Sequence, residues 1–312
     1  FESMPKVINP KKSWIANANN KITPRNYPYY IASFWEPASR IQRIEEVLNS
    51  SNTIDLNDIE KLQTDVYSKF AEQLTPIILQ YINSQNEYDF SIALSYLENW
   101  DYKYTASSTA ASIFDVFFLR FTENTLKDEF GEDLYTHFIR HELIPVRVIP
   151  HLIYSNSTLF DDVSTESIEN IQQIVLKSMQ ETILYLSDTF GSKPYEWRWG
   201  QLHTLTFSPP LFKEAANDSS APTALKLIVN NLLSRGPFTA EGHSMSVNNG
   251  QYNWEHPFEM VLGASIRRIV DFSNLSSTKS VLPTGQSGNP FSQHFGDQTN
   301  LWLNGQYKTF VQ

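Results

Sequence analysis

The run SWIANANN, Ser13 to Asn20, ends in amides. A carboxamide N–H held rigidly at the end of an element can stabilise the oxyanion of an acyl transfer. Such a donor contributes roughly 3 to 4 kcal/mol in a favourable site. Read as a short strand, the run alternates faces. Ile15, Asn17 and Asn19 fall on one side, and Trp14, Ala16, Ala18 and Asn20 on the other. Ala16 and Ala18 are small enough to let another layer approach, and Asn19 presents its carboxamide outward at the strand end. Asn is depleted from strands, however, and the competing reading is that these amides only cap the backbone of a turn.

Other groupings carry less chemistry. HFIRHE sets His137 and His141 four apart, the spacing of a metal pair on one helix face. Glu142 follows the second His instead of standing between the two, and no third ligand is evident, so both read as surface or core histidines. GQSG, Gly285 to Gly288, lacks the GxSxG spacing of a nucleophile elbow. Flanked by Pro283 and Pro290, it reads as a turn. WRWGQLH, Trp197 to His203, reads as aromatic core in preference to a pocket lining. No phosphate loop, paired-carboxylate motif or Ser/His/Asp set stands in a credible context.

The elements that must position such residues change character along the chain. Pro5, Pro10, Pro24 and Pro28 punctuate a strand-and-turn stretch up to about residue 35. Ile41, Ile44 and Val47/Leu48 then take helical spacing. A longer stripe follows from Leu56 through Ile59, Leu62, Val66, Phe70 and Leu74 to Ile78, with Asp55 as its N-cap and Pro76 as the expected break. Helices are also expected over Tyr88–Glu98, Ala110–Leu126 and Tyr135–His141, and from Ser164/Thr165 to a stop at Gly191. Beyond Gly191 come short β-like runs, HTLTF, HSMSV, RRIVDF and SVLP, with one helix around Ala224–Ser234. The reading is α+β: residues 1–35 a strand/loop segment, 36–194 a helical block, 195–312 strands and loops, the two β-like ends pairing in one sheet.

Composition narrows the function. The 312 residues are 41% hydrophobic and 19% charged, ample for a core. A net charge of -10 and no Lys/Arg run argue against a nucleic-acid partner. The absence of cysteine excludes disulfides and thiolate metal sites. No apolar run approaches the ~20 residues of a membrane span. The start, FESMPKVINP, has neither an initiator Met nor the pattern of a signal peptide, and reads as the start of a processed chain or a fragment.

Several segments together resemble one family. FESMPKVINPKKSWIANANNKI, NYPYYIASFWEPASRIQRIEEVL, LENWD, WRWGQLHTLTF, SRGPF, GASIRRIVDFSN and LPTGQSGNPFSQHFGDQTNLWLNGQY are similar, in order, to the later part of the β subunit of penicillin acylases, which are N-terminal-nucleophile hydrolases. The resemblance spans essentially the whole chain. It implies the C-terminal part of an αββα sandwich with a large helical block. It implies hydrolysis of a non-peptide N-acyl amide by an N-terminal Ser whose own amine is the base. That Ser lies outside this chain, so the chain alone is expected to be inactive. Asn19 falls on the family's oxyanion asparagine. Arg40 falls on an arginine near the nucleophile's amine and the substrate, placed to tune the amine or position a carboxylate. Asn17 and Asn20 are expected to be structural neighbours.

The implied partners are the upstream β segment, the α subunit and a small N-acyl amide, with no nucleic acid or membrane. Calcium is implied for the complete protein, with no ligand assignable here, Tyr27–Ser33 included. The implied location is periplasmic or extracellular. The sequence departs from the pattern at Pro209-Pro210, where relatives read His-Pro, and at Glu241-Gly242-His243, where they read Gly-Gly-Asp. The alternative is a non-catalytic fragment or scaffold that has lost its nucleophile region.

Overall fold

The structure, a computed structural model, describes residues 3–82, 90–141, 143–209 and 220–309. Regular structure begins with helices: α1 (Ser39–Asn49), α2 (Leu56–Gln63), α3 (Lys69–Ile82), α4 (Ser91–Glu98), α5 (Thr109–Ile139), α6 (Leu143–Ser155), α7 (Ile171–Phe190) and the short α8 (Trp199–Leu202). Local chemistry sets several of their ends. Asp55 accepts from the Asp58 N–H while Asp58 returns to the Asp55 N–H, a reciprocal cap. Asn170 and Gln173 do the same at the start of α7, and Gly191 closes it. α5 is broken at Gly131, where φ is 69°, a left-handed value that glycine adopts at little cost.

The larger core cluster lies mostly within this helical block and also takes in Met245, Tyr252, Trp254 and Phe258. α5 packs against α4, α6 and α7. Its Phe114, Phe117 and Phe121 are buried, the last two stacked with ring centroids 5.5 Å apart. Polar ties cross the same interface, where Asn124 donates to Glu181 at 2.8 Å and to Ser178 at 3.1 Å.

Strands follow the helices. β1 (Thr204–Phe207) lies between β2 (Arg235–Thr239), antiparallel to it, and β4 (His256–Gly263), parallel to it; β3 (Gly250–Asn253) pairs with β4 in the order β2-β1-β4-β3. A smaller sheet, β5-β6-β7, joins Arg267–Ile269, Lys279–Val281 and Lys308–Thr309. The smaller core cluster, Leu205, Ala240, Met260, Val281 and Trp302, draws on both sheets. Helices and strands thus form a mixed α+β chain.

Several expectations are corrected. SWIANANN is not a strand, and among the described residues the N-terminal segment does not pair with the C-terminal strands. Ser13 and Asn19 have φ of 60° and 61°. The Asn17 and Asn20 side chains accept from the Asn19 and Ala18 N–H groups at 3.0 and 3.1 Å. These local bonds compete with a ladder, and one bridge, Asn20 with Glu36, remains. The helix expected from Asp55 to Ile78 breaks between Gln63 and Lys69, not at Pro76, which sits inside α3. There Asp65 Oδ1 accepts the Tyr67 N–H at 2.8 Å, an Asx turn that ends the helix.

α7 begins at Ile171, not at Ser164/Thr165, because the Asn170 cap wins; Ile168 is exposed. HSMSV forms a buried loop, and RRIVDF contributes only Arg267–Ile269 as strand. The helix expected at Ala224–Ser234 is α over Thr223–Ile228 and continues as a π-turn over Val229–Leu233. α6 lies in a stretch for which no element is expected from the sequence, and it carries Pro145 and Pro150 within its span. Tyr88, Glu142 and Pro210 lie outside the described residues.

Candidate active site

The loop ending at Asn19 and the first turn of α1 meet at Arg40. α1 lacks a side-chain cap at Ala38, and Ser39 does the anchoring instead. Its buried hydroxyl donates to Met245 O at 2.8 Å and accepts from the Phe70 N–H at 3.1 Å. One turn on, Arg43 reaches Asp65 Oδ2 through Nε at 2.9 Å and Nη2 at 2.7 Å, with its guanidinium over the Tyr67 ring. Burial works against the Arg43 cation, but its hydrogen bond and charge pairing with Asp65 prevail, and its pKa is raised.

From this anchored turn, Arg40 Nη2 donates to Ala18 O at 3.2 Å and to Asn19 Oδ1 at 2.9 Å, and pairs with the Glu36 carboxylate. Glu36 closes the circuit, since its N–H donates to Asn19 O at 3.0 Å. Guanidinium is a pure donor. The amide atom facing it must therefore be the oxygen, which fixes which way round the Asn19 carboxamide sits. Its Nδ2 meets no acceptor among the described residues, and Asn19 is exposed. Chemically, the arrangement is an N–H donor aimed by a cation, with Asn19 held in the left-handed conformation that Asn tolerates better than most residues.

Asn19 and Arg40 are thus together, although 21 positions apart in sequence. Asn17 and Asn20 brace the loop backbone. Glu36 was missed, although the Glu-x-x-x-Arg spacing into α1 is a visible signal of an ion pair. Ser39 was also missed; its partner Met245 is 206 positions away and leaves no sequence signal.

The remaining candidates lie elsewhere. His137 is exposed and faces Arg140 Nη1 at 3.3 Å, while His141 falls beyond the end of α5, so the two do not share a helix face. GQSG is a loop, with the Ser287 N–H donating to His294 O. Trp197, Trp199 and His203 are buried in the core. Burial drives the His203 pKa down to about 4, opposed by its bond to Phe258 O at 2.7 Å. Among the described residues, no group of His, Asp and Glu is arranged to hold a metal ion.

One buried cluster has the composition of a hydrolytic triad. Asp115 accepts from Tyr104 at 3.2 Å and Tyr252 at 2.7 Å, and lies 3.2 Å from His243 Nε2. Burial, then Asp115, raises the Tyr104 pKa well above the usual phenol value. Ser244 Oγ is also nearest Nε2, at 3.4 Å, while Nδ1 accepts the Met245 N–H. A triad needs nucleophile and carboxylate on opposite ring nitrogens. Here both share one nitrogen and all three side chains are buried, so the cluster is a structural network.

Comparison with known proteins converges. The chain is 26% identical over 323 residues to acyl-homoserine lactone acylase QuiP of Pseudomonas aeruginosa, covering 98% of this chain and 38% of that protein. It is 26% identical to penicillin acylase 2 proenzyme of Pseudomonas sp. strain SE83, covering 96% of this chain and 37% of that protein. It thus spans well under half the length of these relatives. A thermostable penicillin G acylase from Alcaligenes faecalis matches in structure with a TM-score of 0.60 at 16% identity, over 99% of this chain and 55% of that one. The family model for penicillin amidase matches residues 1–311, and the chain belongs to the penicillin amidase family.

Proposed function

We propose that this chain supplies the carboxamide arm of an oxyanion hole in an amide hydrolase. Asn19 Nδ2 would donate to the tetrahedral oxygen formed when a nucleophile attacks an N-acyl amide. Arg40 holds Oδ1, so the amide cannot turn its acceptor toward the developing negative charge. The observation that carries this reading is the 2.9 Å contact from a donor-only guanidinium to Asn19 Oδ1, which leaves the opposite N–H unspent. Preorganised donors of this kind require no reorganisation at the moment of reaction, which is why they are effective.

In this reading the nucleophile is an N-terminal Ser from the part of the family's length that this chain does not span. The rest of the hydrolase sandwich, the α subunit and any calcium come from there too. The family match and relatives named as acylases support the reaction class. The substrate class is a small N-acyl amide. N-acyl homoserine lactones are the first to assay, because relatives named for that activity align over 96% or more of this chain. The proposed location is outside the cytoplasm, periplasmic or extracellular.

The test is Asn19→Ala in the full-length processed enzyme. Loss of one oxyanion donor lowers kcat by ~10²–10³. Turnover within threefold of wild type removes the assigned role.

A further inference from the structure

We infer that Ser39 is a positioning residue for this site, acting through Arg40 on Asn19, and that the loop from Gly242 to Asn249 is the clamp that holds it; the inference rests on the oxyanion reading of Asn19. Arg40 can aim an amide only as well as the first turn of α1 is fixed. That turn has no N-cap side chain. What fixes it is the Ser39 hydroxyl, shared between Met245 O and the Phe70 N–H, so one buried atom ties α1 to both the loop and α3.

The loop is itself restrained at several points. The Gly242 N–H donates to Tyr104 O at 2.9 Å, and the Asn248 N–H to Asp65 O at 2.8 Å. Ser246 Oγ accepts from the His243 N–H at 2.8 Å and bridges toward Asn248 O at 2.8 Å. His243 locks the loop to the core: its ring stacks on Tyr104 at 4.7 Å and its Nε2 faces buried Asp115. The same loop therefore touches both anchors of α1, Met245 beneath Ser39 and Asn248 against Asp65, which grips Arg43. A buried network at Asp115 is in this way continuous, bond by bond, with the exposed carboxamide. Ser39 itself is buried beneath the turn, so its effect on turnover runs through geometry.

The experiment is a double-mutant cycle in the full-length processed enzyme, using Ser39→Ala, Asn19→Ala and the pair, with Ser39→Thr as the conservative variant. Loss of the Ser39 bonds lowers kcat roughly tenfold with KM within about twofold, since what is lost is aim in the transition state. Ser39→Thr, which keeps the hydroxyl, recovers most of that loss. In the Asn19→Ala background, Ser39→Ala has no further effect on kcat, because the group it aims is gone. An equal loss in both backgrounds overturns the positioning role and leaves Asn19's own role standing. A silent Asn19→Ala overturns both. If Ser39→Ala does not fold, Ser39→Cys, which keeps the volume but weakens both hydrogen bonds, is read in the same cycle, and an equal loss in both Asn19 backgrounds overturns the inference.

Discussion

Replacing Asn19 by Asp separates the chemistry of the carboxamide from its place in the structure. Asp keeps the shape, keeps an oxygen facing Arg40 where 2.9 Å now separates Oδ1 from Nη2, and is one of the residues that tolerates the observed φ of 61°. Ala would add strain there of about 1 kcal/mol or more, so it perturbs the loop as well as the donor. The new Asp–Arg40 pair is partly exposed and adds only ~0–1 kcal/mol to stability, so thermal unfolding should not move downward. The donor, by contrast, is gone, at a cost of ~3–4 kcal/mol in the barrier. A carboxylate ~5 Å from a developing oxyanion adds a repulsion of ~3 kcal/mol at an effective dielectric of ~20, partly offset by Arg40. Together these place the loss of kcat at ~10³-fold or beyond. The assay is steady-state hydrolysis of a chromogenic N-acyl amide by processed full-length enzyme, with subunit masses confirming maturation. Asp at this position turning over within tenfold of wild type, at unchanged Tm, refutes the oxyanion reasoning.

Three further outcomes follow from the same geometry. His203 has a folded pKa of about 4 against ~6.5 when unfolded, so between those values the unfolded chain binds the extra proton. Stability therefore falls as pH drops from ~6.5 toward 4, by up to ~3 kcal/mol; urea unfolding at pH 7.5 and 5 should show this slope in wild type and a smaller one in His203→Asn. Gly242 has φ 89° and a Cβ there would meet Asn248 O at 2.0 Å, so Gly242→Ala should lower stability by ~2 kcal/mol or more and cut turnover, read by calorimetry and kinetics. Purified 1–312 should hydrolyse no N-acyl amide; a rate above the uncatalysed background, absent from an Asn19→Asp control, would contradict the placement of the nucleophile elsewhere.

Local signals were legible where one short segment decides the structure. Asp55 and Gly191 could be read because a cap is made within a turn of its own helix. The buried stripe of α5 and the strand at Thr204–Phe207 were legible from apolar pattern alone. The opening loop was not, because Asn side chains offer the backbone an alternative to a ladder, and nothing in the order of residues says which wins; Asn17 and Asn20 show that the loop does. α6 was not read, and it carries Pro145 and Pro150 within its span, residues that remove backbone N–H donors from a helix. For the site, spacing alone favoured amides that cap a turn; the family resemblance singled out Asn19 and Arg40, and only the structure shows them in contact. Glu36 was readable from its spacing to Arg40. The bond from Ser39 to Met245 was beyond reach, since it depends on a loop following β2 meeting a helix near the chain start.

The most direct measurement is a crystal structure of the processed full-length enzyme carrying a tetrahedral transition-state analogue on its nucleophile. The analogue's oxyanion should lie within ~3 Å of Asn19 Nδ2, with Arg40 still on Asn19 Oδ1. An oxyanion held wholly by other donors, with the Asn19 amide turned away or more than ~5 Å distant, would contradict it.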